Sequence, residues 1–297
     1  MRKNYIISEL LNKNNNEIGK LIKGGMDPNA ILWDKGNSIL KITKMEKFYS
    51  EMHINAICQI HKILAPIHVA PRLLYIDYVD GYVISEFEKI IHSGDILTSY
   101  EAGNALGKAH VALKDVEVKK AFSWSGFYGE KSEFSCVVPL VKDVYIRETG
   151  YKLLDYITNR KLEGRKSQYI HRDLNPGNII KSFSYIYLID WDMTYGGYIE
   201  DDVAMSICCL GTLGFGQISS LISHCDEFLR GYRLQNDVDW ASRESSILIS
   251  AIALAGLRQG VSGWFSDKGD LSAAYWDNIR NRMEISLLLC QSSNRHT

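Results

Sequence analysis

The stretch Tyr169-Ile170-His171-Arg172-Asp173-Leu174-Asn175-Pro176-Gly177-Asn178-Ile179-Ile180 decides the reading of this chain. It sets an Asp and an Asn five positions apart, in a loop holding Pro and Gly that runs into an apolar, strand-like segment. The Asp173 carboxylate can accept a proton from an attacking hydroxyl, and the Asn178 amide oxygen can ligate Mg2+, which prefers hard oxygen donors. Twelve residues after Asn178, at the end of the next expected strand, comes Ile189-Asp190-Trp191-Asp192. Its Asp190 carboxylate can bridge a metal ion to phosphate groups. A lone Asp or Asn in a loop is ordinarily a turn residue. Three such groups in this order and spacing point instead to phosphoryl transfer.

The rest of the chain suits a folded protein of that kind. Its 297 residues are enough for one large domain or two modest lobes with a full core. Hydrophobic residues at 46% and charged residues at 23% exclude disordered, collagen-like and mini-protein classes. Lys plus Arg number 34 against 35 Asp plus Glu, so neither a nucleic-acid partner nor a charge-steered one is indicated. Six cysteines without a Cys-x-x-Cys pair suit buried thiols in a reducing cytosol better than disulfides or a zinc site. The N-terminus is polar, without an apolar run of signal-peptide length. Val203 to Ser223 is diluted by Gly and Ser, and Ser245 to Leu257 is shorter than the roughly 20 apolar residues a membrane span needs. A cytoplasmic protein with no membrane segment is expected.

Hydrophobic patterning divides the chain near residue 88. Residues 17–23, 30–33, 38–43, 72–77 and 82–87 read as strands, with hairpin punctuation at Asp34-Lys35-Gly36-Asn37 and Asp80-Gly81. Between the third and fourth, residues 46–64 carry Met52, Ala56, Ile60 and Ile63 at helical spacing. The expectation is a small five-stranded antiparallel lobe with one helix over 1–88. A large, mainly helical lobe over 89–297 follows. In it, Thr98-Ser99-Tyr100-Glu101 has capping-box form and opens a helix through Leu113. Residues 122–135 read as a loop, 141–160 as a helix and 178–190 as a β-like island with its clearest strand at 185–189.

These motifs resemble the protein-kinase-like superfamily and, within it, the aminoglycoside phosphotransferase and choline kinase group. The resemblance spans roughly residues 17 to 204 and implies an α+β, bilobal kinase-like fold. It makes Asp173 the base or hydroxyl-orienting carboxylate and Asn178 and Asp190 the Mg2+ ligands, with ATP (or GTP) as co-substrate. Lys41, in Ser38-Ile39-Leu40-Lys41-Ile42, falls where the family's third-strand lysine meets the α- and β-phosphates, and Glu51 in the next helix is expected to hold it by an ion pair. Gly24 and Gly25 look like the Gly-Gly phosphate loop of choline-kinase-like enzymes, with Asn29 one place later than in that pattern. No Walker A sequence is present. Glu86-Phe87-Glu88 would be the hinge, binding the adenine edge through its backbone. Asp202, in Asp-Val-Ala, resembles the family's Asp-Leu-Ala, whose Asp steadies the catalytic loop through backbone hydrogen bonds; it also suits the N-terminus of a helix. His171 is expected to brace the same loop.

The acceptor should be small. Only 11 residues lie between Asp190 and Asp202 and no Ala-Pro-Glu follows, so a peptide substrate has little to dock on. The expected acceptor is the hydroxyl of a small, cationic metabolite or antibiotic, an aminoglycoside or similar drug first, with a role in antibiotic resistance. Acids of the helical part (Glu200, Asp201, Asp226 and Asp237 among them) are candidates to meet ammonium groups, and Trp240, Trp264 and Trp276 to supply cation–π faces. Each alone reads more readily as a solvated acid or a core tryptophan. Two rivals stand beside this reading: a choline, ethanolamine, homoserine or sugar kinase, and a nucleotide-binding pseudokinase.

Overall fold

The computed structural model describes residues 20–22, 30–44, 47–79, 81–118, 131–157, 167–211, 218–266 and 273–293, which fall into two compact units. The first comprises the described residues up to Asp95 together with Ile180–Asp192. It is built on strands β1 (Lys20–Ile22), β2 (Ala30–Asp34), β3 (Ser38–Lys44), β4 (Leu73–Val79) and β5 (Tyr82–Glu88), in the order β1-β2-β3-β5-β4, with antiparallel neighbours throughout. The β2–β3 turn closes because Gly36 takes φ +91° and Asp34 Oδ1 accepts the Gly36 amide at 2.8 Å.

Strand alternation then sorts β3. Leu40 and Ile42 join Val79 and Ile84 in a core cluster, with Tyr82 packed against it. Lys41 and Thr43 take the other face of the strand by the two-residue period, and both are buried there. Helix α1 (Lys47–Leu64) buries His53, Ala56, Ile57, Ile60 and Leu64, a stripe of i, i+3, i+4 spacing. Met52 and Ile63 lie at its margins, half-buried.

Residues 180–192 pack with the sheet unit, so the compact units do not follow a single cut at 88/89. The Leu188 amide donates to the Val69 carbonyl at 2.7 Å and the Ser93 amide to the Lys181 carbonyl at 2.8 Å. This segment carries the end of β7 (Ile179–Lys181), β8 (Ile186–Leu188) and the start of a 3-10 turn (Trp191–Met193). Trp191 pins that turn: its ring is buried and its Nε1 donates to the Leu188 carbonyl at 3.0 Å.

The second unit is mainly helical. Helix α2 (Ser99–Leu113) opens with the capping box seen in the sequence: Thr98 Oγ1 accepts from the Glu101 amide and Glu101 Oε2 from the Thr98 amide. It crosses α6 (Ile218–Gln235) at backbone contact. A Cβ on Gly103 would meet the Phe228 carbonyl, and one on Gly231 the Tyr100 carbonyl. Only glycine permits so close a crossing. Helix α3 (Lys131–Val137) replaces the described end of the expected 122–135 loop; the rest of that stretch lies outside the described residues. Helix α4 (Val144–Leu154) starts later than expected, because Asp143 caps it by accepting the Ile146 amide at 3.0 Å.

Between α4 and the last helices, β6 (Gln168–Ile170) pairs with β9 (Tyr195–Gly197) and leads into the 169–180 loop. Helix α5 (Ile199–Gly211) is buried from Glu200 onwards, acids included, and packs against α7 (Ser246–Ser266), which pairs with α8 (Ala273–Ser293). The cysteines are thiols, with Cys208, Cys209, Cys225 and Cys290 buried, Cys58 half-buried and Cys136 exposed. No helix among the described residues is long and apolar enough to cross a membrane.

Candidate active site

In the helical unit, the loop after β6 is held from below by one carboxylate. Asp202, in the first turn of α5, accepts the His171 amide at 2.7 Å and the Arg172 amide at 2.6 Å. Two consecutive amides converge on one anion when the chain between them turns left-handed, and Arg172 has φ +70°. Such a conformation costs a non-glycine residue about 1–3 kcal/mol, which the two charge-assisted hydrogen bonds offset.

Asp202 is in turn fixed by a buried chain of side chains. His110 Nε2 donates to its Oδ2 at 3.0 Å, the Tyr232 hydroxyl donates to His110 Nδ1 at 2.8 Å, and Asn236 Nδ2 donates to the Tyr232 oxygen at 2.9 Å. Burial pushes the Asp202 carboxyl up, but the hydrogen bonds from His110 and the His171 amide outweigh it and hold the group below the ordinary carboxylate value. His171 is itself fully buried, its Nδ1 facing the Asp173 amide at 3.4 Å.

This brace presents Asp173 and Asn178 together. The Asn178 Nδ2 donates to the Asp173 carbonyl at 2.7 Å and to the Asp173 carboxylate at 3.1 Å. Asn175 shapes the bend between them, accepting the Gly177 amide at 2.9 Å while Pro176 starts a 3-10 turn. Both hydrogen bonds to Asp173 come from the Asn178 amide nitrogen, so the Oδ1 acceptor takes no part in them. An amide oxygen is the hard kind of donor that Mg2+ takes, its remaining ligands coming from carboxylates, water and substrate phosphates.

In the sheet unit, Lys41 reaches two carboxylates. Its Nζ lies 2.7 Å from Asp190 Oδ1 and 2.7 Å from Asp192 Oδ2. Burial would lower the Lys41 pKa, but Asp192 and Asp190 raise it above its usual value, so the ammonium stays charged. Asp190 takes φ +63°, a second left-handed non-glycine residue at a site the sequence marks for chemistry. Thr43 donates to Asp192 Oδ2 at 3.4 Å, and His53 Nε2 stands 3.9 Å from its Oδ1, beyond hydrogen-bond length.

Several expectations need correction. The carboxylates at Lys41 come from the Asp190-Trp191-Asp192 segment, while Glu51 is exposed on α1. Two residues along a helix are about 200° apart, so with His53 turned inward Glu51 points away. Glu86 and Glu88 lie in β5, between β3 and β4 in the sheet, so their backbone edges face neighbouring strands. The Glu88 amide goes to the Arg72 carbonyl at 2.9 Å, and the Glu86 carboxylate binds Lys35 and Ser38. Gly24 and Gly25 lie outside the described residues.

Two of the acids considered for ammonium binding are answered by arginines, Asp201 by Arg258 at 3.3 Å and Asp226 by Arg243 at 3.1 Å. Trp240 packs 6.0 Å from the Tyr232 ring. The residues the sequence reading missed are Asp192, His53 and Thr43. Asp192 was in plain view beside Asp190, and the phase of α1 with Ala56 and Ile60 would have turned attention to His53.

No protein-family model matches the chain, and no curated protein matches it. Solved structures do. An amicoumacin kinase, hAmiN, in complex with AMP-PNP, Ca2+ and Ami aligns with a TM-score of 0.60 at 17% identity, over 90% of this chain and 87% of that one. A thermostable mutant of aminoglycoside phosphotransferase APH(4)-Ia, in a ternary complex with AMP-PNP and hygromycin B, aligns at 0.58 and 13% identity over 94% and 95%. A choline/ethanolamine kinase family protein from Mesorhizobium loti aligns at 0.55 and 14% identity over 100% of both chains. At these identities the likeness is one of fold. The chain has the α+β, protein-kinase-like fold of aminoglycoside phosphotransferases and choline kinases.

Proposed function

We propose that the chain is a small-molecule kinase that transfers the γ-phosphoryl group of ATP (or GTP) to a hydroxyl of a small acceptor. The observation that carries this reading is the Asp173–Asn178 pair, hydrogen-bonded at 3.1 Å in a loop locked by Asp202. Asp173 orients the acceptor hydroxyl and takes its proton as the new O–P bond forms, and the bond to the nucleoside diphosphate breaks as that product leaves. A positioned base of this kind contributes about 10²–10⁴-fold in rate. Lys41 grips the phosphates through an ammonium kept charged by its carboxylates. By the sequence resemblance, Asn178 and Asp190 would be the residues to hold Mg2+, which when bound would neutralise charge on the phosphate oxygens. His171 and Asp202 keep Asp173 in place.

The acceptor class we favour is a hydroxylated, amine-bearing antibiotic. Support comes from the fold shared with structures that hold amicoumacin-type and aminoglycoside ligands, those ligands being theirs. The neutralisation of Asp201 and Asp226 by arginines leaves fewer carboxylates for a polycation, so choline, ethanolamine, homoserine and simple sugars belong in the same test. That test is ADP (or GDP) release with Mg2+ and ATP (or GTP) against this panel, with Asp173→Ala as the blank. One acceptor should release ADP in the wild type and none in the variant. Nucleotide binding without turnover on any acceptor would favour a pseudokinase, and release that persists in Asp173→Ala would sink the assignment.

A further inference from the structure

Three charges meet on the face of β3 opposite Leu40 and Ile42: one ammonium, Lys41, and two carboxylates, Asp190 and Asp192, each 2.7 Å from it. The cluster therefore carries one negative charge in excess, and its two acids are not equivalent. The Asp190 side chain is 39% exposed and the Asp192 side chain 18%. Asp192 has further partners, Thr43 at 3.4 Å and His53 facing its other oxygen at 3.9 Å, and its backbone follows the buried Trp191 anchor. Asp190 holds Lys41 by one oxygen, from a strained left-handed residue. Helix α1, which would have to supply Glu51 as the carboxylate for Lys41, instead turns the buried imidazole of His53 inward.

We propose that Asp192, backed by His53 and Thr43, is the carboxylate that holds Lys41 in position for nucleotide, leaving Asp190 to exchange the lysine for the metal ion. This division of labour rests on the kinase reading above. A divalent cation arriving at Asp190 removes the excess negative charge, and Lys41 keeps one carboxylate, so its ammonium stays placed instead of following Asp190. Asp192 and His53 are positioning residues here, acting on phosphate only through Lys41. Burial lowers the pKa of His53, so at neutral pH it meets Asp192 as a neutral ring and does not compete with Lys41 for the carboxylate.

The test is calorimetric binding of AMP-PNP, with and without Mg2+, to the wild type and to Lys41→Met, Asp190→Asn, Asp192→Asn, Asp192→Glu and His53→Leu, each checked for its melting temperature. In the wild type, Lys41→Met should weaken Mg2+–AMP-PNP binding by about tenfold, and in the Asp192→Asn background that penalty should shrink to about threefold or less, as expected of coupled partners. The gain in affinity that Mg2+ brings should survive in Asp192→Asn and vanish in Asp190→Asn. Asp192→Glu, which keeps the charge, should restore part of the Lys41 penalty, and His53→Leu should fall between Asp192→Asn and the wild type. A full Lys41→Met penalty without Asp192, or loss of the Mg2+ gain in Asp192→Asn, would overturn the proposal while leaving the kinase reading intact. A wild type that binds no AMP-PNP, or one in which Lys41→Met costs nothing, would remove the reading on which the proposal rests.

Discussion

Replacing Asp202 by alanine should cost the protein about a third of its stability. The side chain is fully shielded from solvent and serves three donors: the His171 amide at 2.7 Å, the Arg172 amide at 2.6 Å and His110 Nε2 at 3.0 Å. A donor stranded in such a place costs about 1–3 kcal/mol, and removing one member of a buried charged contact about 3–5 kcal/mol. Because the three donors share one acceptor and can relax together, the penalties do not add, and about 3–5 kcal/mol is expected. A domain of ordinary stability has about 5–15 kcal/mol in all. For a unit of this size the melting temperature should fall by about 6–20 °C. Asp202→Asn keeps one accepting oxygen but turns an N–H toward a backbone N–H, so it should lie between. Acid adds a second signature. The Asp202 carboxyl titrates below its ordinary value in the folded protein, so its contribution is complete above about pH 4 and fades as pH falls through the lower folded value. The wild type should therefore lose stability below about pH 4 more steeply than Asp202→Asn does. Urea unfolding followed by circular dichroism across pH 3 to 7 reads both effects. An Asp202→Ala protein within about 1 kcal/mol of the wild type would refute the idea that this carboxylate braces the loop.

Other outcomes follow from the same contacts. Gly231→Ala should destabilise by about 3 kcal/mol or more, because its Cβ would meet the Tyr100 carbonyl in a backbone-to-backbone crossing that no rotamer can relieve; a thermal melt unchanged from wild type would contradict that packing. Thr98→Ala removes the α2 capping box and should cost about 1 kcal/mol by urea titration. A thiol reagent should label exposed Cys136 first and half-buried Cys58 more slowly. Cys208 and Cys209, whose pKa values burial pushes up to about 11 and about 12, should react only after denaturation, as should Cys225 and Cys290. Rapid native labelling of four or more thiols would be incompatible with the described core.

What the sequence disclosed was mostly local. The Asp173 loop reads clearly because its chemistry lies within a dozen residues, and the Thr98 capping box because a cap is a four-residue event. The β2–β3 turn announces itself in Asp34 and Gly36 for the same reason. What stayed hidden depends on three-dimensional phase and on distant partners. Glu51 lies one residue from Met52 on the apparent apolar face, yet the buried stripe of α1 centres on His53, Ala56 and Ile60, and that small rotation puts Glu51 in solvent. Lys41 and Asp192 are 151 positions apart, so nothing local ties them. Glu88 looks like the end of a strand, but only the sheet order shows that β5 has a neighbour on each side. Asp201 reads as an open acid until Arg258, more than fifty residues later, is folded against it.

The most direct measurement of the central claim is a single-turnover reaction followed by mass spectrometry of the acceptor, comparing the wild type with Asp173→Asn. It uses whichever acceptor releases ADP in the panel and measures AMP-PNP affinity alongside. The account predicts an acceptor that gains one phosphoryl group in the wild type. Asp173→Asn should form that product at least about 100-fold more slowly, while its nucleotide affinity stays within about threefold. Near-wild-type product formation by Asp173→Asn would contradict it, because the residue at the centre of the braced loop would then have no part in the transfer.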